Sequence, residues 1–571
     1  MATKRHVLGT GSLMLSTLFA LGGSAAADVA SPLVRTNAAV APYAAAVALD
    51  AARYASLKSA PAQTVMTDFV LGPDRTASLV LSPRDPLAED GQLVVGSAAG
   101  DVPMPRPDVL IMTGRLLDDP GSLAIIGFSP LGTNGYIQTS DGVKYIISPG
   151  PHGGQRATVV YNLADVPEAD IDWVPFRCGA DMLPPPTHRS PETDRAGGGS
   201  TRDVPCRRAT FAVDSDYEYT AQIFGGDINA SAAYALTLFA GISEVYVREV
   251  NTDIVVGYLR VWSTDTDPYS GPYSYDRLFQ FQDWWNANMG HITRNAVHLL
   301  SALRDGQIGG VAYYPGLCDI PYGYGLSAYL NGYFPYPLGN HLSQNWDMLV
   351  TTHEIGHNFG APHTHDKSPP IDNCAFGDCS DAYSGTIMSY CHTCPGGVSN
   401  ISLNLHPRII NEDILPYLDF GAPCNLLALP PGIIQFNVPP TAAAGGSASL
   451  SVFPSGTGPF NYQWKKNGVD IPGAIANPYD INPVTPASEG TYTVIVEGAC
   501  GRSTESEGRF MDVTGGLCPG DYNADTSVDD FDFFDFLNDF NANNSAADVN
   551  GDTSVDDFDF FDFMNAFNTP C

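Results

Sequence analysis

The sequence predicts a multidomain protein. A β-rich block comes first, followed by a mixed α/β block (a twisted sheet plus helices), a β-sandwich and a small helical unit. Three observations carry this. The length, 571 residues, corresponds to roughly three to four domains. The 57 Gly and 45 Pro supply many turns and mark linkers at 183–205 and from Pro430. The apolar pattern also changes period along the chain: strand-like, then alternating strand-like and helical, then strand-like, then helical.

Charge narrows the partners. Sixty-two acidic against 28 basic residues leave a net charge of −34. Phosphate binding needs clustered Lys and Arg, so nucleic acid is excluded as a partner, as is docking on an anionic membrane. An acidic chain suits an extracellular protein that collects divalent cations.

Residues 1–27 read as a signal peptide. Lys4, Arg5 and His6 precede an apolar run from Val7 to Gly22, and Ala25-Ala26-Ala27 places cleavage before Asp28. No later segment is read as a membrane span, so the mature chain is expected to be soluble and secreted, or surface-associated. Export permits disulfides, and the 11 cysteines leave at least one outside intramolecular pairing.

Residues 28 to about 176 hold short apolar runs, such as 109–112, 122–127 and 144–147, that read as strands. The 183–205 linker carries Arg189, Arg195 and Arg202. In the block 206–424, residues 209–213 and 253–262 read as strands, and 230–250 and 277–289 as helices.

The chemistry concentrates at His353-Glu354-Ile355-Gly356-His357-Asn358-Phe359-Gly360-Ala361-Pro362-His363. Residues four apart share a helix face, so His353 and His357 can ligate one ion. Glu354 is offset to stand beside that ion, as a general base acting on bound water. Gly360 allows a sharp exit from the helix, and His363 returns as third ligand. Three neutral imidazoles leave one coordination position open, the arrangement of catalytic zinc (Zn2+). Thr386-Ile387-Met388-Ser389-Tyr390 follows as a candidate Met-turn, with Met388 structural.

These motifs resemble the metzincin zinc metallopeptidases of the adamalysin/reprolysin family. The resemblance implies an α/β catalytic domain over 206–424, endopeptidase activity on a polypeptide substrate, and an edge strand at Gly309–Tyr313 along which substrate lies antiparallel. Two positions depart from it. Thr364 stands where most adamalysins carry Asp, and Tyr390 follows Met388 by two, as in astacins and serralysins. Two roles fit Tyr390: stabilising an oxyanion, or packing in the pocket wall.

Arg177-Cys178-Gly179 resembles the cysteine switch of metzincin precursors, and residues 114–149 resemble the adamalysin propeptide. The resemblance implies a propeptide with linker over 28–205, Cys178 as zinc ligand of a latent form, and activation by cutting near Arg195 or Arg202. A Cys178–Cys206 disulfide is the alternative. Cys391 and Cys394 form a C-x-x-C that fits a second zinc site, although disulfides around the Met-turn suit an exported protein better.

Residues 433–513 resemble an immunoglobulin-like domain. Trp464 stands as the buried strand residue and Tyr492 as the tyrosine corner, while Val494 occupies the place of the usual second cysteine. Within 518–571, Asp521–Asn541 and Asp548–Asn568 match at 17 of 21 positions. Oxygen-bearing residues recur at the spacing of a Ca2+ loop: Asp521, Asn523, Asp525, Ser527, Asp529 and Asp532, then Asp548, Asn550, Asp552, Ser554, Asp556 and Asp559. Each loop precedes a Phe-rich helix. The unit resembles a dockerin, which implies calcium binding, with either a cohesin-like or cell-surface partner or self-stabilisation alone as its role. Thr526 and Thr553 replace the usual turn Gly. Cys518 and Cys571 are expected to clasp the ends.

The expectation is therefore a secreted zinc endopeptidase made as a latent precursor. The alternative is an adhesive or scaffold-attached protein whose zinc domain mainly binds.

Overall fold

The computed structural model describes residues 27–60, 63–154, 156–167, 177–183, 206–306, 308–335, 347–514, 520–523, 527–550 and 554–568. The signal segment up to residue 26, Arg189, Arg195, Arg202, Cys518, Asp525, Thr526, Asp552, Thr553 and Cys571 lie outside the described residues.

The N-terminal block forms a ten-stranded, mostly antiparallel sheet. It includes Leu110–Leu116, Asp119–Phe128 and Lys144–Ser148, so the three runs read as strands are strands. Its alternating residues divide between two cores. Ala124, Ile126 and Ile147 face one core with Phe69 and Leu79, while Leu123, Ile125 and Ile146 face the same core as the α/β block.

The α/β block is built on an eight-stranded sheet of β1 (Leu87–Gly96), β2 (Val102–Pro103), β3 (Arg177–Cys178), β4 (Arg207–Ser215), β5 (Thr252–Trp262), β6 (Ala296–Leu300), β7 (Ile308–Ala312) and β8 (Tyr324–Ser327). The order is β3-β7-β8-β6-β4-β5-β1-β2. The central strands β6, β4 and β5 are parallel, and β7 runs antiparallel to β8. The sheet therefore does not respect the expected boundary at 205. Two strands from before the linker extend it on one side, and one more closes it on the other. The hydrophobic pattern marks β1 as a strand but carries no information about which sheet receives it.

Helix α1 (Ile228–Val250) begins at Asp227, whose carboxylate accepts from the backbone of Asn229 and Ala230. It ends on Asn251 in the left-handed region. Its 23 residues are apolar enough to cross a membrane, contrary to the expectation that no such segment follows the signal. The helix is instead buried between the two sheets, where an all-round apolar surface is required. Helix α2 (Ser274–Asn288) packs against β7 and β8, and α3 (Asp347–Asn358) carries the first two histidines.

The disulfides are Cys206–Cys500, Cys318–Cys424, Cys374–Cys391 and Cys379–Cys394. Cys178 is the free cysteine among the described residues, so the alternative Cys178–Cys206 bond is not formed. Cys391 and Cys394 are bonded to Cys374 and Cys379 rather than forming a second zinc site.

Residues 432–514 form two facing sheets, strands Gly432–Asn437, Ala448–Ser455 and Tyr479–Ile481 against those around Gly490–Glu497. Trp464 is fully buried between them, its indole N–H donating to the Ala476 carbonyl, and the Tyr492 hydroxyl donates to the Ser488 carbonyl at 2.6 Å. Helices α4 (Asp530–Asn541) and α5 (Asp557–Phe567) follow. Phe536 and Phe563 stack at 4.1 Å to make their core.

Candidate functional site

Helix α3 is buried along its whole length, so its histidines are held by packing rather than by solvent contact. It stops where the sequence places Gly360. That residue has φ +86°, its N–H donates to the His357 carbonyl, and the Ala361 N–H donates to the Gly356 carbonyl. This double closure is a Schellman cap, and the left-handed residue at its centre favours Gly. The chain then turns back, and His363 arrives beside the helix.

The three rings converge. Their centroids lie 4.9 Å (His353–His357), 4.7 Å (His357–His363) and 5.3 Å (His353–His363) apart. Each Nδ1 faces an oxygen: Ile387 O at 2.7 Å for His353, Ala361 O at 2.8 Å for His357, and both Asp181 at 3.4 Å and Asp366 at 3.3 Å for His363. An Nδ1 that donates outward leaves the Nε2 lone pair pointing inward. His353 Nε2 is buried with no hydrogen-bond partner among the described residues, and His357 Nε2 and His363 Nε2 stand 3.2 Å apart. An orphaned, buried lone pair among three converging imidazoles is what a cation with nitrogen ligands requires, so these residues fit zinc.

Burial depresses His353, and it lowers His357 to about 3, so both are neutral. Burial also opposes protonation of His363, but Asp181 and Asp366 outweigh it and raise this imidazole. A carboxylate on the outer nitrogen makes a histidine a more basic ligand. Sequence reasoning missed both acids. The available signal was an Asp three residues after Cys178 and another three after His363.

Glu354 lies against β7, and burial pushes its carboxyl up to about 8. Gly310 makes this approach possible, because a Cβ there would fall 2.7 Å from the Glu354 side-chain carbons. Met388 is fully buried beneath the histidines, with its sulfur where a Cβ on Gly356 would meet it at 2.7 Å. Thr364, in place of Asp, bonds the Met388 carbonyl through its backbone N–H at 3.1 Å, while Asp366 takes up the His363 contact.

The segment before the linker enters this site. Arg177–Cys178 pairs in parallel with β7 at its edge. Cys178 Sγ stands 3.3 Å from His357 Nε2 and 3.5 Å from Glu354 Oε2, and groups with the three histidines as a potential metal cluster. The Tyr390 hydroxyl accepts from the Cys178 N–H at 3.1 Å and faces its carbonyl at 3.3 Å. A small pocket beside Cys178 is walled by Leu349, Val350, Ile387, Tyr390 and His392.

In the C-terminal repeats, Asp532 accepts from the backbone N–H groups of Asn523 and Asp529, both at 2.9 Å. Asp559 accepts equivalently from Asn550 and Asp556. Asp529 and Asp556 cap α4 and α5. Asp521, Ser527, Asp548 and Ser554 belong to the same two loops, and Asp525 and Asp552 lie outside the described residues.

Residues 206–402 match the family model Reprolysin_5, Metallo-peptidase family M12. The chain is 23% identical over 214 residues to the mouse disintegrin and metalloproteinase domain-containing protein 1a, covering 36% of this chain and 24% of the relative. It is 24% identical over 193 residues to snake venom metalloproteinase TM-1 from Protobothrops mucrosquamatus, covering 33% of this chain and 88% of that relative. The chain thus spans about a quarter of the mouse relative's length. Metalloproteinase-II from Bacteroides fragilis aligns with a TM-score of 0.30 at 12% identity, over 54% of this chain and 84% of that one. The segment holding the three histidines, Glu354 and Met388 is therefore similar to the metallopeptidase domains of the M12, reprolysin type.

Proposed function

We propose that this protein is an exported zinc endopeptidase held latent by its own Cys178. The convergence of three inward-facing Nε2 atoms beside Glu354 carries the reading. His353, His357 and His363 would hold the ion. Zinc, when bound, polarises a scissile carbonyl and lowers the pKa of water toward about 7. Glu354 accepts a proton from the attacking water and delivers it to the leaving amine, so that one amide is hydrolysed. The backbone of β7 offers an edge along which a peptide can pair. Tyr390, once parted from Cys178, has its hydroxyl free to donate to a developing oxyanion.

In the latent form, the Cys178 sulfur fills the space between His357 and Glu354. Its segment runs parallel to β7, the reverse of the substrate direction that the family resemblance implies. A reversed peptide presents its carbonyls out of register for attack, which supports Cys178 as an inhibitor rather than a substrate. Four disulfides among the described residues support an oxidising compartment. The buried Trp464 and the Tyr492 bond support an immunoglobulin-like sandwich. The paired acidic loops support calcium binding by a dockerin-like unit.

The test is cleavage of a peptide library by protein from which the Cys178 segment has been released by cuts on both sides of it. Glu354→Gln should lower turnover by roughly 100-fold or more while retaining zinc, and a chelator should abolish turnover. Equal turnover in the Glu354→Gln protein would overturn the reading and favour a binding role.

A further inference from the structure

The N-terminal block is joined to the α/β block in a way that a disposable propeptide does not need. Strand β1 forms a parallel ladder with β5, pairing Gln92 to Gly96 with Tyr258 to Trp262. Leu93, Val94, Ile111, Ile125, Ile146 and Tyr161 belong to the same continuous core as α1 and α3. Buried and half-buried polar bonds cross the same boundary. Lys144 donates to the Ser399 carbonyl at 2.6 Å, Ser148 to the Phe334 carbonyl at 2.5 Å, and Tyr161 to the Pro335 carbonyl at 2.6 Å. Arg84 donates to Ser243 at 2.8 Å and pairs with the fully buried Asp253.

Removing this block would expose the β5 edge, open one face of α1 and leave Arg208 as the remaining cation on the buried Asp253. An unpaired strand edge and a weakened buried ion pair are both costly. The switch segment is held quite differently. Residues 177–183 contribute a two-residue strand, a short turn, the Cys178 contacts and the half-exposed Asp181.

We infer that residues 28–167 are a permanent, non-covalent subunit of the working protein, and that only the short switch segment has to leave. Cys178 is the first cysteine of the chain, so no disulfide ties this block to residues 206–571. Hydrolysis of one peptide bond within 184–205 leaves Cys178 attached to a block that stays docked. A second hydrolysis within 168–176 frees the switch. The consequence for activity rests on the peptidase reading above, but retention does not.

The experiment uses the full chain with one site-specific protease recognition sequence placed at 190–200 and a second at 170–175. In a Glu354→Gln background, which removes self-cleavage, the doubly cut protein is run on size exclusion in 1 M salt. Co-elution of the fragment holding 28–167 with the one holding 206–571 is expected, and separate elution would overturn the inference whatever the activity. With Glu354 intact, the singly cut form (190–200) should stay near the precursor's turnover, and the doubly cut form should gain activity with the fragment still bound. Full activity after the single cut would overturn the requirement for the second. Co-elution with no activity in any form would instead sink the peptidase reading and leave retention standing.

Discussion

Glu354 owes its position to a residue that has no side chain. Gly310 lets the carboxylate lie flat against β7, and a methyl there would displace it. Gly310→Ala should therefore lower turnover by on the order of 100-fold, because misplacing a reacting group by about 1 Å costs that much. Thermal stability and zinc content should stay near wild type, and an unchanged kcat would show that Glu354 has room to spare. His298 makes a second residue-scale case. It is buried in β6, with Nε2 2.8 Å from the Ser327 hydroxyl and its ring against Phe239. Burial lowers its pKa to about 3. The unfolded chain takes up a proton below about 6.5, where folded His298 does not. Its contribution to stability is thus complete above pH 6.5 and is lost as pH falls toward 3, by about 2 kcal/mol at pH 5. Zinc-loaded His298→Gln should show a flatter fall of Tm between pH 6.5 and 5 than wild type, and parallel curves would refute the assignment.

At the scale of an element, α3 and its cap act as one device. The helix spaces His353 and His357, and the left-handed Gly360 aims the chain so that His363 completes the set. Gly360→Ala forces an L side chain into that region and presses a methyl on Tyr417 at 3.0 Å. A stability loss of about 1–2 kcal/mol is expected, accompanied by weaker zinc retention in a chelator competition. Loss of stability with zinc affinity intact would mean that the cap supports the fold without aiming His363. The His-x-x-x-His spacing, the glycine and the third histidine were all legible in the sequence, because each acts within a few residues. Asp181 on His363 and Gly310 beneath Glu354 were not, because those contacts join segments far apart in the chain.

For the whole molecule, two blocks are tied to one centre. Cys206–Cys500 fastens the sandwich to the first strand of the α/β block, and Arg84 links the N-terminal sheet to Asp253. The C-terminal helices stand on their own small core around Phe536 and Phe563. Their loops carry much of the negative charge, and calcium should stabilise them by neutralising it. Calorimetric titration of the intact protein is expected to show one calcium per loop. Asp532→Ala with Asp559→Ala should abolish that heat and the rise in Tm of the C-terminal transition, while leaving zinc content unchanged. Calcium-independent melting of the wild type would remove the reading.

The amino-acid sequence by itself determined the local chemistry: which residues form a helix with two histidines on one face, where that helix must stop, which loops gather carboxylates, and which tyrosine and tryptophan pack a sandwich. Those follow from periodicity, φ preference and side-chain type, all short-range properties. Only the tertiary structure decided that strand Leu87–Gly96 joins the α/β sheet, that an apolar helix of membrane-spanning length is a core helix, and that Cys178 reaches the histidines on a strand parallel to β7. A strand's pattern states that one face must be buried and is silent about which neighbour buries it, so partner choice is settled only when the whole chain packs.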